Sequence, residues 1–247
     1  MLENNIENNS KNNIENSSKK ISIYKLSFLI VAGILGLYLF SIIASLIVKQ
    51  IPNIGEAEAI GAMQFISYSF LFICLLGIIN IDIKKLFPSF KKIKNYLFGL
   101  VVFVSILAFS FIYNVIVNAF YPTQVNDNEA TLRSFINIYP GLSILFLCFI
   151  GPICEELTYR VGLFGIFDKY KIPAYIIAPL IFALMHFNFG AFGTDAIWNE
   201  LINLPTYIFS GVAFCFAYDK FGLAGSLTAH VANNLWAVIG FLIVSNI

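Results

Sequence analysis

Residues 142–167 read LSILFLCFI-GPICEELTYR-VGLFGIF. Two adjacent carboxylates, Glu155 and Glu156, and a guanidinium, Arg160, stand between two apolar runs. A stretch of about 20 apolar residues crosses the hydrocarbon core of a bilayer, so this segment reads as a membrane helix interrupted by charge. Ionisable groups at membrane depth cost several kcal/mol each, face the interior of a bundle, and mark functional sites by default. The stretch therefore predicts an all-α, polytopic membrane helix bundle that encloses a polar cavity.

The rest of the chain supports that class. Of its 247 residues, 59% are hydrophobic and 12% charged, against about a quarter charged in soluble domains. Apolar runs predict spans over residues 27–48, 59–81, 96–117, 142–167, 173–189, 201–218 and 223–244. That makes about seven transmembrane helices, or eight if the long fourth run breaks in two. Residues 1–25 form an Asn-rich segment without apolar periodicity, expected to be a disordered tail ahead of a membrane domain over 26–247. The run from Ser27 to Val48 has no small-x-small cleavage end and reads as a retained helix. Cys74, Cys148, Cys154 and Cys215 lie in apolar runs without CxxC spacing, as small hydrophobes in packed helices do. With a formal net charge of +1 and no basic arm, nucleic acid is not an expected partner; the lipid bilayer is.

Loop charges orient the bundle. Lys11, Lys19, Lys20 and Lys25 of the tail, the lysines of DIKKLFPSFKKIKN (82–95), and Lys169 with Lys171 fall on one side; Glu56, Glu58, Asp127, Glu129, Asp195 and Glu200, with one arginine, Arg133, fall on the other. Lysine-rich loops stay in the cytoplasm, so the expectation is a multi-pass protein of the cell membrane with its N-terminus inside.

The ionisable residues expected at membrane depth are Glu155, Glu156, Arg160, His186 and His230, and these two histidines are the only ones in the chain. An apolar bundle holds such groups when they face inward and satisfy one another. Glu156 and Arg160 are four apart, on one helix face and in the favourable order for an ion pair. Glu155 lies about 100° round the helix from Glu156 and is free to face a cavity. A carboxylate there can take a proton from water and return it, with a histidine sharing the water. His230 and Asn234, also four apart, present an imidazole and an amide that can stabilise an oxyanion. The set describes a water-activating hydrolase inside a membrane. One feature strains it: counted from the inner edge, His230 lies roughly 10 Å deep and His186 roughly 20 Å, at about 1.5 Å per residue.

EELTYR (155–160) fits the pattern EExxxR, FALMH (182–186) fits FxxxH, and HVANN (230–234) fits HxxxN. In this order, on separate membrane helices, they resemble the CPBP (CAAX protease and bacteriocin-processing, or Abi) family of intramembrane glutamic endopeptidases, with the motif-bearing core over 142–244. The resemblance implies that Glu155, assisted by His186, polarises water, and that His230 and Asn234 stabilise the tetrahedral oxyanion. It gives Glu156 and Arg160 the task of holding the site together and has Phe182 pack against it. It implies no cofactor and no metal, and a membrane-associated protein or peptide as substrate, such as a secreted-peptide precursor. The C-terminal VSNI has no CaaX cysteine, so the chain is not expected to be a prenylation substrate itself.

Three other readings use the same residues. Two histidines and a glutamate suit a zinc protease, although HExxH is missing and Asn234 is a poor zinc ligand. Buried Glu, Arg and His also line ion pathways in transporters, or persist in a non-catalytic immunity or scaffold protein, and no internal repeat of the transporter kind is visible here. Cys154 with a histidine would make a cysteine protease.

Overall fold

The computed structural model describes residues 21–121, 126–167 and 169–245, which form helices and turns without a strand. The expected tail lies outside the described residues as far as position 20. By Ile23 the chain is helical, started by Ser22, whose hydroxyl accepts the Lys25 N–H at 3.4 Å. Helix α1 spans Ile23–Val48 and α2 spans Glu56–Ile79, the latter with Glu56 and Glu58 in its first turn, where the helix dipole favours acids. After a 3-10 segment, Asn80–Lys85, and a short turn of helix, Phe87–Phe90, come α3 (Ile93–Phe120) and α4 (Asp127–Ile138). Then follow α5 (Pro140–Phe164), α6 (Lys171–Leu184) and α7 (Ile197–Ser245).

Among the described residues five helices are long and apolar enough to cross a membrane: α1, α2, α3, α5 and α7. Helix α7 is two helices joined at Gly222, whose φ of 69° is a conformation that favours glycine. A Cβ at Gly222 would come 2.6 Å from the Ser89 Cβ. The Ser89 hydroxyl accepts the Ala224 N–H at 3.2 Å and so satisfies a donor at the start of the second arm. The two arms, 197–221 and 223–245, correspond to the last two expected spans. The expected span over 173–189 is the shorter α6, and the expected fourth span stays one helix. The molecule is a multi-pass helical bundle.

Burial explains the arrangement. Helices α1 and α3 leave Phe28, Leu35, Val101 and Val104 exposed, as a lipid-facing surface does. Inward, Leu29, Leu75, Leu157 and Val161 join α1 and α2 to α5, while Phe164, Ala178, Phe214 and Ala217 join α5 to α6 and α7. Helix α5 is thus the central element. It approaches α1 so closely that a Cβ on Gly33 would sit 2.0 Å from the Thr158 hydroxyl oxygen.

The two ends of the bundle differ in charge. Lys25 pairs with Asp82 at 2.5 Å and Lys171 with Asp219 at 2.7 Å. These pairs gather the start of α1, the end of α2, the start of α6 and the bend of α7 at one lysine-rich end. Helix α4, the turn after α6 and the start of α7 meet at the opposite, acid-rich end. Helix α4 differs from the expectation of an outer loop there. Asn126 caps it by accepting the Glu129 N–H at 3.0 Å, and its apolar side buries Phe135 and Ile136. A helix of 12 residues with one apolar side is too short to register as a span.

Candidate active site

Helix α5 is not regular. Residues Phe146–Ile150 and Glu156–Phe164 are wound as π-helix, on either side of the α-helical Gly151–Glu155. The Gly151 N–H turns back to the Phe146 carbonyl, and Pro152, the next residue, has no N–H to give. The Leu147 carbonyl is thereby left for a side chain, and the Asn234 amide donates to it at 2.8 Å. One N–H of Asn234 therefore fastens the second arm of α7 to α5. Its second N–H remains available to the cavity that Asn234 lines.

Glu155 and Glu156 meet the same imidazole. His230 Nδ1 lies 2.9 Å from Glu156 Oε1, and His230 Nε2 lies 3.5 Å from Glu155 Oε2. A carboxylate oxygen only accepts, so the short contact puts a proton on Nδ1. The second contact exceeds good hydrogen-bond length. The expected Glu156–Arg160 pair is present, with Nε 3.4 Å from Oε1 and both side chains 0% exposed. The shorter partner of Glu156 is His230, however, and Arg160 is enclosed mainly by rings. Its guanidinium carbon lies 4.6 Å from the Phe182 centroid and 5.1 Å from that of Phe214.

Phe182 is the hub. Its ring is 4.7 Å from the His186 ring and 6.0 Å from that of His230. The two histidines, which residue counting sets at different depths, thus flank one side chain. Because α6 ends at Leu184, His186 stands on the turn beyond it. His186 Nδ1 donates to the Phe182 carbonyl at 2.8 Å, so Nε2 is the nitrogen left for a reactant. The family resemblance makes His186 the companion of Glu155; the close contact of Glu155 is with His230.

Sequence reasoning passed over a second set of residues that frames His186. Glu200, 2% exposed, accepts the Asp127 N–H and the Asn188 N–H, each at 3.0 Å, one on each carboxylate oxygen. It therefore ties the first turn of α4 to the turn that carries His186. The Asn188 side chain also bonds to Asp127. Tyr207 stacks on His186 with centroids 4.7 Å apart, and its hydroxyl meets Asn126 and Asn128 at 3.4 and 3.3 Å. The one available signal was an acid three residues into an apolar helix, which also reads as a solvated loop charge.

These elements enclose a cavity of about 800 Å³ lined by Glu155, Phe182, His186, Tyr207, His230 and Asn234, among others. Glu156 and Arg160 lie behind its wall and do not line it. A smaller cavity of about 160 Å³ on the α1–α2 side shares Glu155, His186, Tyr68 and Asn128 with it. The Glu155 side chain is 19% exposed, while its Oε2, itself buried beside His230, accepts no hydrogen bond among the described residues. No three His, Cys, Asp or Glu side chains among the described residues are arranged to hold a metal ion. The cysteines are free, and Cys154 is buried.

Residues 137–236 match the family model described as type II CAAX prenyl endopeptidase Rce1-like. The chain is 30% identical over 213 residues to the membrane-embedded CAAX protease MroQ of Staphylococcus aureus, covering 78% of this chain and 81% of that protein. It is also 30% identical over 105 residues to an uncharacterized protein of Mycoplasma capricolum, covering 41% of this chain and 28% of that one. No solved structure matches significantly. The three motifs, their convergence on one cavity and these likenesses have one conclusion: the chain belongs to the CPBP family of Rce1-like CAAX proteases.

Proposed function

We propose that the protein is an intramembrane glutamic endopeptidase in which Glu155 activates water against a peptide carbonyl. The observation that carries this reading is a carboxylate on the wall of a membrane-depth cavity, with an oxygen that accepts no hydrogen bond among the described residues and two histidines beside the same cavity. Water bridges Glu155 and Nε2 of His186, and as its oxygen attacks the carbonyl carbon its proton passes to Glu155. The carbonyl π-pair moves onto oxygen, where Nε2 of His230 and the second N–H of Asn234 receive it. Glu155 then returns the proton to the leaving nitrogen as the C–N bond breaks.

The neighbours support these roles. Glu156 orients His230 through Nδ1. Because that nitrogen already carries its proton, His230 donates to the oxyanion only when doubly protonated. The Phe182 carbonyl sets the tautomer of His186. Arg160 balances the charge of Glu156 behind the wall. Substrates are membrane-associated proteins or peptide precursors, and the N-terminus lies in the cytoplasm, on the lysine-rich side.

The test is comparative peptidomics of membranes from wild-type and Glu155→Gln cells. The variant accumulates in the membrane at normal levels, and specific cleavage products vanish. Unchanged products would overturn the assignment of Glu155 and favour a non-catalytic scaffold.

A further inference from the structure

We infer that the smaller cavity is a water compartment that supplies Glu155 from the α1–α2 side, with Gln64 as its polar anchor. This rests on the proposed hydrolytic site and adds where its water comes from.

The two cavities divide the site residues. Glu155 and His186 line both, whereas His230 and Asn234, the oxyanion donors of the proposed reaction, line only the larger. A peptide whose carbonyl reaches those donors therefore lies in the larger cavity and displaces water from it. Each turnover consumes one water, which has to reach Glu155 and Nε2 of His186 with the peptide in place. The smaller cavity meets the same two side chains from the α1–α2 side.

Its lining suits water. At about 160 Å³ it has room for several molecules. Ser41 of α1, Gln64 and Tyr68 of α2, Asn128 of α4 and Thr158 of α5 all face it, so a water there finds the two to four polar partners it needs. The Ser41 and Thr158 hydroxyls donate to the Leu37 and Cys154 carbonyls at 2.8 Å each and keep their lone pairs for the cavity. Gln64 and Tyr68 stand one turn apart within a membrane span, and neither side chain makes a hydrogen bond among the described residues. An amide or phenol inside an apolar span takes its hydrogen bonds from protein or from water, so for these two the partner is water. Gln64, with two donors and an acceptor, anchors a chain of waters that passes the Tyr68 hydroxyl and ends at Glu155. Gln64 is thus a positioning residue, acting on the reaction through water.

The buried cysteines provide the test. Cys148, Cys154 and Cys215 are 0%, 1% and 0% exposed, and of the three only Cys154 lines this cavity. Brief X-ray radiolysis of the full chain in lipid nanodiscs turns resident water into hydroxyl radicals, which oxidise the sulfur beside it. Cys154 is oxidised severalfold faster than Cys148 and Cys215, and Gln64→Leu brings it down to their rate. Gln64→Asn, which keeps an amide, restores the faster rate. Gln64→Leu breaks no hydrogen bond among the described residues, so its melting temperature does not fall. With a peptide whose cleavage depends on Glu155, Gln64→Leu leaves KM unchanged and lowers kcat about tenfold, a fraction of the ~10²–10⁴ that general-base catalysis supplies. Equal oxidation of the three cysteines in the unsubstituted chain overturns the inference. So does a Gln64→Leu variant whose kcat is unchanged and whose KM rises, since the cavity would then hold a substrate side chain. Failure of the hydrolytic reading looks different: cleavage products persist in Glu155→Gln cells while Cys154 remains the fast thiol.

Discussion

Replacing Arg160 with methionine tests how the buried charges are held. Arg160 and Glu156 are both 0% exposed and 3.4 Å apart, and the guanidinium is otherwise surrounded by Phe182 and Phe214. Methionine fills much of the volume but leaves Glu156 as a buried carboxylate that keeps His230 and the Ser226 hydroxyl as polar partners and loses its guanidinium counter-charge. Removing one member of a buried ion pair destabilises by about 3–5 kcal/mol. In a chain of this size about 2–4 °C is lost per kcal/mol, so melting falls by about 6–20 °C. The four cysteines suit the assay: Cys148, Cys154 and Cys215 are buried and Cys74 is half-buried, so a thiol-reactive fluorogenic maleimide reports unfolding in detergent. The double variant Glu156→Gln/Arg160→Met melts higher than Arg160→Met alone, because neither buried charge remains and the introduced amide oxygen can still accept from His230. If Arg160→Met melts within about 2 °C of the unsubstituted protein, or if the two changes simply add, the ion pair is not what holds this wall.

The site itself can be probed in two other ways. Asp127→Pro deletes one N–H donor to Glu200 at a helix-initiating position that accepts proline, since Asn126 is extended with ψ 169°. Relative to Asp127→Ala it speeds amide exchange in α4 and the His186 turn and lowers turnover about tenfold, in line with the cost of small misplacements; equal behaviour of the two variants would show that the Glu200 contact positions nothing. Cleavage survives chelation by 1,10-phenanthroline and survives Cys154→Ala; loss to the chelator with recovery on adding zinc would replace the glutamate mechanism by a metal one, and loss in Cys154→Ala would point to the thiol.

What could be read from residues alone was local. Length and polarity of apolar runs set the helical membrane class, because a bilayer leaves a spanning chain few ways to satisfy its backbone. Spacing of four residues placed Glu156 with Arg160, and the pair is there. The polar groups were few enough that one cavity was the economical arrangement, and Glu155, His186, His230 and Asn234 do line one cavity. Partner choice was not local. An ideal helix turns Glu155 and Glu156 apart, yet the two carboxylates approach opposite nitrogens of His230. The Leu147 carbonyl claims an N–H of Asn234 because π-winding and Pro152 leave that carbonyl without a helical donor. His186 reaches the depth of His230 because α6 stops at Leu184.

The largest difference lies at the acid-rich end. Glu200 reads in sequence as one more outer charge, whereas in the fold it is buried and joins α4 to the His186 turn through two backbone N–H groups. A backbone donor carries no residue-specific signal, so a carboxylate that serves backbone 12 and 73 residues away is invisible to pattern. The stretch EELTYR by itself determined that charges sit at membrane depth in a bundle. Only the tertiary structure decided which of them touch and which line the cavity, because both depend on contacts between helices distant in sequence.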